Sequence, residues 1–147
     1  MQTRRLNEFF IELAVEFKHS QPLSQENWEI AQLFYTIQGV NHKLVEIPAK
    51  IVYEDERILA FEDIRPKAPV HVLIIPKAHF ASLNEAPGGS EALLGEIVLR
   101  ARAIAKEKGV GETGYRVVLN TARDSGQEVF HIHFHVLGGR RLTWPPG

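Results

Sequence analysis

Val129-Phe130-His131-Ile132-His133-Phe134-His135-Val136-Leu137 reads as a β-strand with one chemical face. Alternate residues of a strand face opposite sides of its sheet. Ile132, Phe134 and Val136 are therefore expected to bury one face, while His131, His133 and His135 line the other. A single histidine is more often a structural side chain than a reacting one. Three of the chain's seven histidines on one strand face, followed by Gly138-Gly139, are harder to explain as packing.

The stretches around this strand supply the rest of a sheet. Residues 50–54, 57–63 and 70–76 are short runs rich in Val, Ile, Leu and aromatics, bounded by charged or proline-containing turns. Residues 115–120 form another such run, and the polar turn 121–127 separates it from the histidine strand. Between the strands, residues 91–108 carry Leu93, Leu94, Ile97, Val98, Ala101, Ile104 and Ala105 at helical spacing. Ser90 is expected to cap the start of that helix and Gly109 to end it. Strands joined largely by short turns around one long helix imply an α+β fold, an antiparallel sheet of about five strands.

Residues 1–45 have a different character. Leu6, Phe9, Phe10, Leu13, Ala14 and Phe17 share a helical face, and residues 27–37 suggest a second helix. The expected organisation is a helical extension over 1–45 and one domain over 46–147. Arg4 and Arg5 could open a signal peptide, but Glu8, Glu12 and Glu16 interrupt the apolar run that would follow. No stretch approaches the ~20 apolar residues of a membrane span. A net charge of −1 gives no electrostatic reason to expect nucleic acid or an anionic membrane as partner. The absence of cysteine excludes disulfides, thiolate nucleophiles and Cys-based zinc sites. The expectation is a soluble, cytoplasmic protein.

Two chemistries compete for the histidines. Zinc is commonly held by imidazole, and three ligands could leave a position open for catalysis. On a straight strand, however, His131 and His135 stand roughly 13 Å apart at ~3.3 Å per residue. Zinc–nitrogen bonds are ~2.0–2.1 Å, so one ion cannot gather all three, although two of them with His71 or His79 could. Nucleophilic catalysis fits better, because neutral imidazole is available near pH 7. The middle residue, His133, has a neighbour on each side to set its tautomer or carry protons. Phosphorus is the expected electrophile, since Asp124-Ser125-Gly126-Gln127 can turn backbone N–H groups toward phosphate oxygens.

The alternation of histidine with apolar residues over 131–137 resembles the signature of the histidine triad superfamily. Further stretches resemble its Hint branch, the nucleotide-binding phosphoramidases. They are Glu46-Ile-Pro-Ala-Lys-Ile-Val-Tyr-Glu-Asp, Ala60-Phe-Glu-Asp-Ile-Arg-Pro-Lys-Ala-Pro, Leu73-Ile-Ile-Pro-Lys, Leu119-Asn120, Gly126-Gln127, Leu137-Gly-Gly-Arg and Trp144-Pro-Pro-Gly. The resemblance implies a homodimer that hydrolyses purine nucleoside 5′-phosphoramidates, AMP joined to an amine, without metal or other cofactor. It implies that His133 is the nucleophile, His135 a phosphate ligand, and His131 and His71 members of a proton and orientation network. By the same carry-over Asp63, beside Ile64, accepts hydrogen bonds from the ribose, and Phe61 helps hold the base. Asn120, Gly126, Gln127 and Glu128 surround the phosphate, and Trp144 borders the leaving-group side of the partner subunit's site. A dinucleoside polyphosphate hydrolase and a nucleotide-binding regulator with little turnover are the alternatives.

The chain departs from that pattern twice. Glu128 stands where animal Hint proteins have Ser, and a carboxylate there repels phosphate, so any contact is expected from its backbone. Residues 38–45 do not reproduce the apolar run that supplies part of the family's base pocket. Phe34, Ile37 and Leu44 are expected to take its place.

Overall fold

The computed structural model describes residues 50–63 and 65–147. The expected helices of the first forty residues, Phe34, Ile37, Leu44 and Ile64 lie outside the described residues.

Five strands form one antiparallel sheet: β1 (Ile51–Glu54), β2 (Ile58–Glu62), β3 (Val70–Pro76), β4 (Tyr115–Leu119) and β5 (Phe134–Gly138), in the order β1-β2-β3-β5-β4. Among the described residues one α-helix, α1 (Glu91–Glu107), lies between β3 and β4. The α+β reading is therefore correct, and the first four strands and the helix begin and end within a residue of expectation.

Period-two alternation divides the sheet into two faces. Ile58, Ala60, Val72, Ile74, Phe134 and Val136 pack with Ile97, Ala101, Ile104 and Ala105 of α1. Each fully buried aliphatic side chain of this layer contributes roughly 1.5–3 kcal/mol. The helix presents Ile97, Ala101, Ile104 and Ala105, spaced four, three and one apart, while Val98 points outward at 48% exposure. In β2, β3 and β5 the residues of odd number, including His71, Leu73, His135 and Leu137, belong to the opposite face; in β4 the register reverses the parity, and Val118 joins them.

Two local expectations need correction. Ser90 occupies the N-cap position but does not cap: its backbone is already α-helical (φ −75°, ψ −7°), and its hydroxyl donates to the Pro87 carbonyl at 2.6 Å. A capping side chain needs an extended backbone to reach back to the first free N–H groups. At the other end Gly109 takes φ +76°, the left-handed conformation expected just beyond a helix.

The second correction bears on the site. The last strand begins at Phe134, so residues 129–133 lie outside it. The β3–β5 ladder ends at the pair Ile74–Phe134. Pro76 has no N–H to extend the ladder, and its carbonyl is bound instead by the His131 side chain at 2.8 Å. Residues 79–81 then take over from β3. Phe80 O accepts from Ile132 N at 3.0 Å, and Ala81 O accepts from the Gln127 side-chain amide at 2.8 Å.

The two glycines after the histidines are required by packing. A Cβ on Gly138 would lie 3.1 Å from Val110, and one on Gly139, at φ +87°, would lie 2.8 Å from Pro69.

Candidate active site

Strand register assembles the site on the sheet face opposite α1. Phe61, Leu73, His135 and Val118 form one row across β2, β3, β5 and β4. In the neighbouring row Asp63, immediately after β2, donates its N–H to the His71 carbonyl at 2.9 Å, and His71 is paired with Leu137. A cavity of about 210 Å³ opens over these rows, with His71, His133 and His135 in its wall. Asp63, Lys67, Asn120, Gly126, Gln127 and Glu128 complete its polar lining.

The hydrogen bonds assign each tautomer. His133 Nδ1 lies 2.8 Å from the His131 carbonyl, which can only accept, so Nδ1 carries the hydrogen and Nε2 keeps its lone pair. His71 Nδ1 accepts from the Lys67 N–H at 3.0 Å, so its hydrogen sits on Nε2. That hydrogen is donated to His135 Nδ1 at 2.9 Å, with the Asp63 carboxylate 3.4 Å away. His135 is left with an Nε2–H to offer a ligand. His131 donates Nε2–H to Pro76 O, and its bare Nδ1 accepts from His79 Nδ1–H at 3.0 Å.

These imidazoles are held neutral. Burial draws His131 and His135 down to about 3 from the ordinary value of 6.5. Desolvation also lowers His71, against the pull of Asp63, and lowers His133, against the His131 carbonyl. His133 is thus an uncharged imidazole with a directed lone pair, which is what attack on an electrophile requires.

Not every expected site residue meets in the cavity. His131 is 1% exposed and lies behind His133, away from the cavity wall. The common histidine face therefore divides, because residues 129–133 leave the strand. Phe61 is fully buried in the row of His135, and Trp144 is 82% exposed on the tail beyond β5; neither lines the cavity.

The turn before the histidines is also more occupied than expected. Gly126 N–H donates to Arg123 O at 3.0 Å and Gln127 N–H to Ala122 O at 3.3 Å. The Gln127 side chain is saturated as well: its amide donates to Ala81 O and Val129 O, and its Oε1 accepts from Ala122 N. Gln127 thus ties the turn in place, and two of the four expected N–H donors, those of Gly126 and Gln127, are already engaged within the turn. Ala122 at φ +65° is the one strained non-glycine among the described residues, at the base of this turn.

A metal would find Asp63, His71 and His135 within 4.8 Å of one another. The tautomer opposes ligation. A metal-bound histidine donates its second ring N–H to an acceptor, whereas His71 Nδ1 already accepts from Lys67. Binding through Nε2 would demand an imidazolate, so these residues do not suit an ion.

Sequence reasoning passed over Lys67 as a lining residue and weighed His79 only as a metal ligand. The signal for His79 was its place just after β3, where the ladder to the histidine segment stops.

Comparison with known proteins gives a consistent result. A family model for the HIT domain matches residues 45–142. An uncharacterised HIT-like protein of Synechococcus elongatus is 56% identical over 102 residues, covering 69% of this chain and 89% of the relative. The crystal structure of a HIT family hydrolase from Legionella pneumophila superimposes with a TM-score of 0.66 at 54% identity, covering 69% of this chain and 90% of that one. A histidine triad nucleotide-binding protein from Candida albicans gives a TM-score of 0.60 at 32% identity, covering 76% and 80%.

Proposed function

This chain belongs to the HIT domain family, and on that premise we propose that it hydrolyses the P–N bond of purine nucleoside 5′-phosphoramidates through a covalent nucleotidyl-His133. The observation that carries the reading is the Nδ1–H bond from His133 to the His131 carbonyl, which commits the Nε2 lone pair at the cavity wall. Nε2 attacks phosphorus, the bond to the amine nitrogen breaks, and the amine departs with a proton drawn from solvent, which the later attack of water returns. The ring becomes cationic as the N–P bond forms, and its Nδ1–H bond to the carbonyl strengthens. Water then attacks phosphorus, and His133 is released as neutral imidazole. His135 Nε2–H is the donor for a phosphoryl oxygen, and His71, bridging His135 and Asp63, holds that ring in its tautomer and can relay a proton.

The remaining assignments follow the same reading: Asp63 and Ile64 at the ribose, Phe61 toward the base, and Asn120, Gly126, Gln127 and Glu128 around the phosphate. Among the described residues the lining carries two carboxylates, Asp63 and Glu128, against one lysine, Lys67, and its histidines are held neutral by burial. That balance disfavours a dinucleoside polyphosphate, with its several negative charges, relative to a singly charged phosphoramidate.

A homodimer is part of the proposal. β4 ends the sheet with no further strand among the described residues, an edge that a second copy can pair. Trp144 then borders the leaving-group side of the other subunit's site, and Trp144→Ala should reorder preferences among leaving amines more than it alters nucleotide binding. Sedimentation showing a monomer fully active at nanomolar concentration would contradict the cross-subunit site.

The deciding experiment incubates the protein with adenosine 5′-phosphoramidate and, separately, with a diadenosine polyphosphate, followed by rapid acid quench. Turnover of the first with nucleotide trapped on His133 is expected. Preference for the second would move the activity to polyphosphate hydrolysis, and binding without turnover would make the protein a nucleotide-binding regulator.

A further inference from the structure

We propose that His79 is a positioning residue for the nucleophile, acting through His131 to hold the lone pair of His133 on Nε2. The inference rests on His133 being the nucleophile, and it concerns a histidine outside the cavity lining.

Residues 127–133 carry the nucleophile but do not belong to the β5 strand, so no ladder sets their register. Three consecutive residues after β3 do that instead. His79 bonds the ring of His131, Phe80 bonds the backbone of Ile132, and Ala81 bonds the side chain of Gln127. The two outer contacts of this brace end on side chains and the middle one on backbone, so the segment is gripped at alternating levels.

His79 has the most specific part in it. The His131 ring is 1% exposed, and each of its nitrogens has one polar contact identified above. Pro76 O can only accept, which puts the His131 hydrogen on Nε2 and leaves Nδ1 requiring a donor. His79 Nδ1–H, 3.0 Å away with its ring stacked at a centroid distance of 5.1 Å, supplies it. Loss of that donor removes a hydrogen bond from a buried acceptor, and His131 gains by turning its ring or exchanging tautomer. Either change releases Pro76 O and shifts the backbone of residue 131, whose carbonyl holds His133 Nδ1–H at 2.8 Å. His133 could then place its hydrogen on Nε2, which extinguishes the nucleophile. The chain of contacts passes through a backbone carbonyl, so it carries orientation and no proton.

The test combines imidazole ¹⁵N NMR with steady-state kinetics on adenosine 5′-phosphoramidate. In the parent protein His79 and His133 should be Nδ1–H tautomers and His131 the Nε2–H tautomer. Loss of the donor in His79→Leu should lower kcat about ten- to a hundredfold with little change in KM, and His133 should show mixed tautomers. His79→Asn places an amide donor near the Nδ1 position and should recover most of kcat. His79→Gln places its amide near Nε2 and should not. Equal behaviour of the Asn and Gln variants overturns the proposal, as does a folded His79→Leu protein in which kcat or the His133 tautomer is unchanged. An Nε2–H tautomer at His79 in the parent overturns it without any substitution. A parent that turns over no phosphoramidate defeats the reading of His133 as nucleophile instead, and the parent spectrum still decides the tautomers.

Discussion

Two histidine pairs stand close together, one on the sheet and one just beyond the ends of β3 and β5, and by simple measures they are alike. His71 and His135 bond ring to ring at 2.9 Å with centroids 5.2 Å apart; His79 and His131 do so at 3.0 Å and 5.1 Å. Burial pulls His135 and His131 down to the same value, about 3. They differ in what the outer nitrogens meet. The first pair faces the cavity, with Asp63 beside it and the His135 Nε2–H free for a ligand. The second ends on a backbone carbonyl, Pro76 O, and meets the cavity only through the backbone of residue 131. A perturbed imidazole therefore marks burial, and the remaining partner decides between chemistry and architecture.

The largest expected effect concerns His133, which both pairs serve. His133→Ala should lower kcat by at least ~10³, because a nucleophile and its orienting partners act as a unit. Full activity in that variant would remove the mechanism and the distinction between the pairs with it.

Substituting one member of each pair should then separate them. His71→Phe breaks the proton-carrying link in the cavity and should slow turnover by roughly 10²-fold or more. His131→Phe strands the Pro76 carbonyl and should lower unfolding free energy by about 1–3 kcal/mol. The kcat loss should be greater for His71→Phe and the denaturation midpoint lower for His131→Phe. The same order in both measurements would mean that the pairs share one role.

Asp63 sharpens the cavity side of the comparison. One carboxylate oxygen accepts the Arg65 N–H at 2.8 Å, and the other lies 3.4 Å from His71 Nε2. If that second oxygen also receives ribose hydroxyls, Asp63→Ala should weaken ribose substrates by about 1–3 kcal/mol in kcat/KM. Analogues lacking those hydroxyls should barely respond. Equal losses on both would assign Asp63 to holding His71 alone.

The remaining effect is one of pH. Both His131 and His135 have folded-state values below the ordinary 6.5 of an unfolded chain, so the unfolded state takes up protons first as pH falls. Their contribution to stability is complete above about pH 6.5 and is lost progressively as pH falls toward 3. Within that window each group costs up to about 1.4 kcal/mol per pH unit. The urea midpoint should therefore be lower at pH 5 than at pH 7. Saturating AMP should recover the His135 share, since a phosphate beside that ring favours its cation, and should not recover the His131 share. A midpoint independent of pH between 7 and 5 would show that neither ring is held neutral.

How much of this was legible depended on whether the controlling interactions were local. The strands β1 to β4 and helix α1 could be read closely, because apolar period, turn residues and Gly109 act within a few positions of one another. The start of β5 could not. Residues 129–133 alternate as a strand does, yet their pairing is replaced by contacts with residues 76–81, some fifty positions earlier. Gln127 belongs to a turn whose backbone N–H groups could face phosphate; that its N–H meets Ala122 O and its side chain three backbone partners is visible only in three dimensions.

By itself, then, the sequence determined the sheet and its helix, the face on which His133 and His135 stand, and the neutral-imidazole chemistry open to them. Periodicity and residue type carry those, since each is a property of a short segment. Tertiary structure alone decided that His131 lies behind the cavity, that His71 bridges His135 and Asp63, and that His79 reaches His131. Each rests on a hydrogen bond between segments more than fifty residues apart, except the Asp63–His71 contact, which the β2–β3 turn closes. A ring nitrogen's role depends on whether its partner donates or accepts, and that partner is chosen by strand register and by the point at which Pro76 ends the ladder.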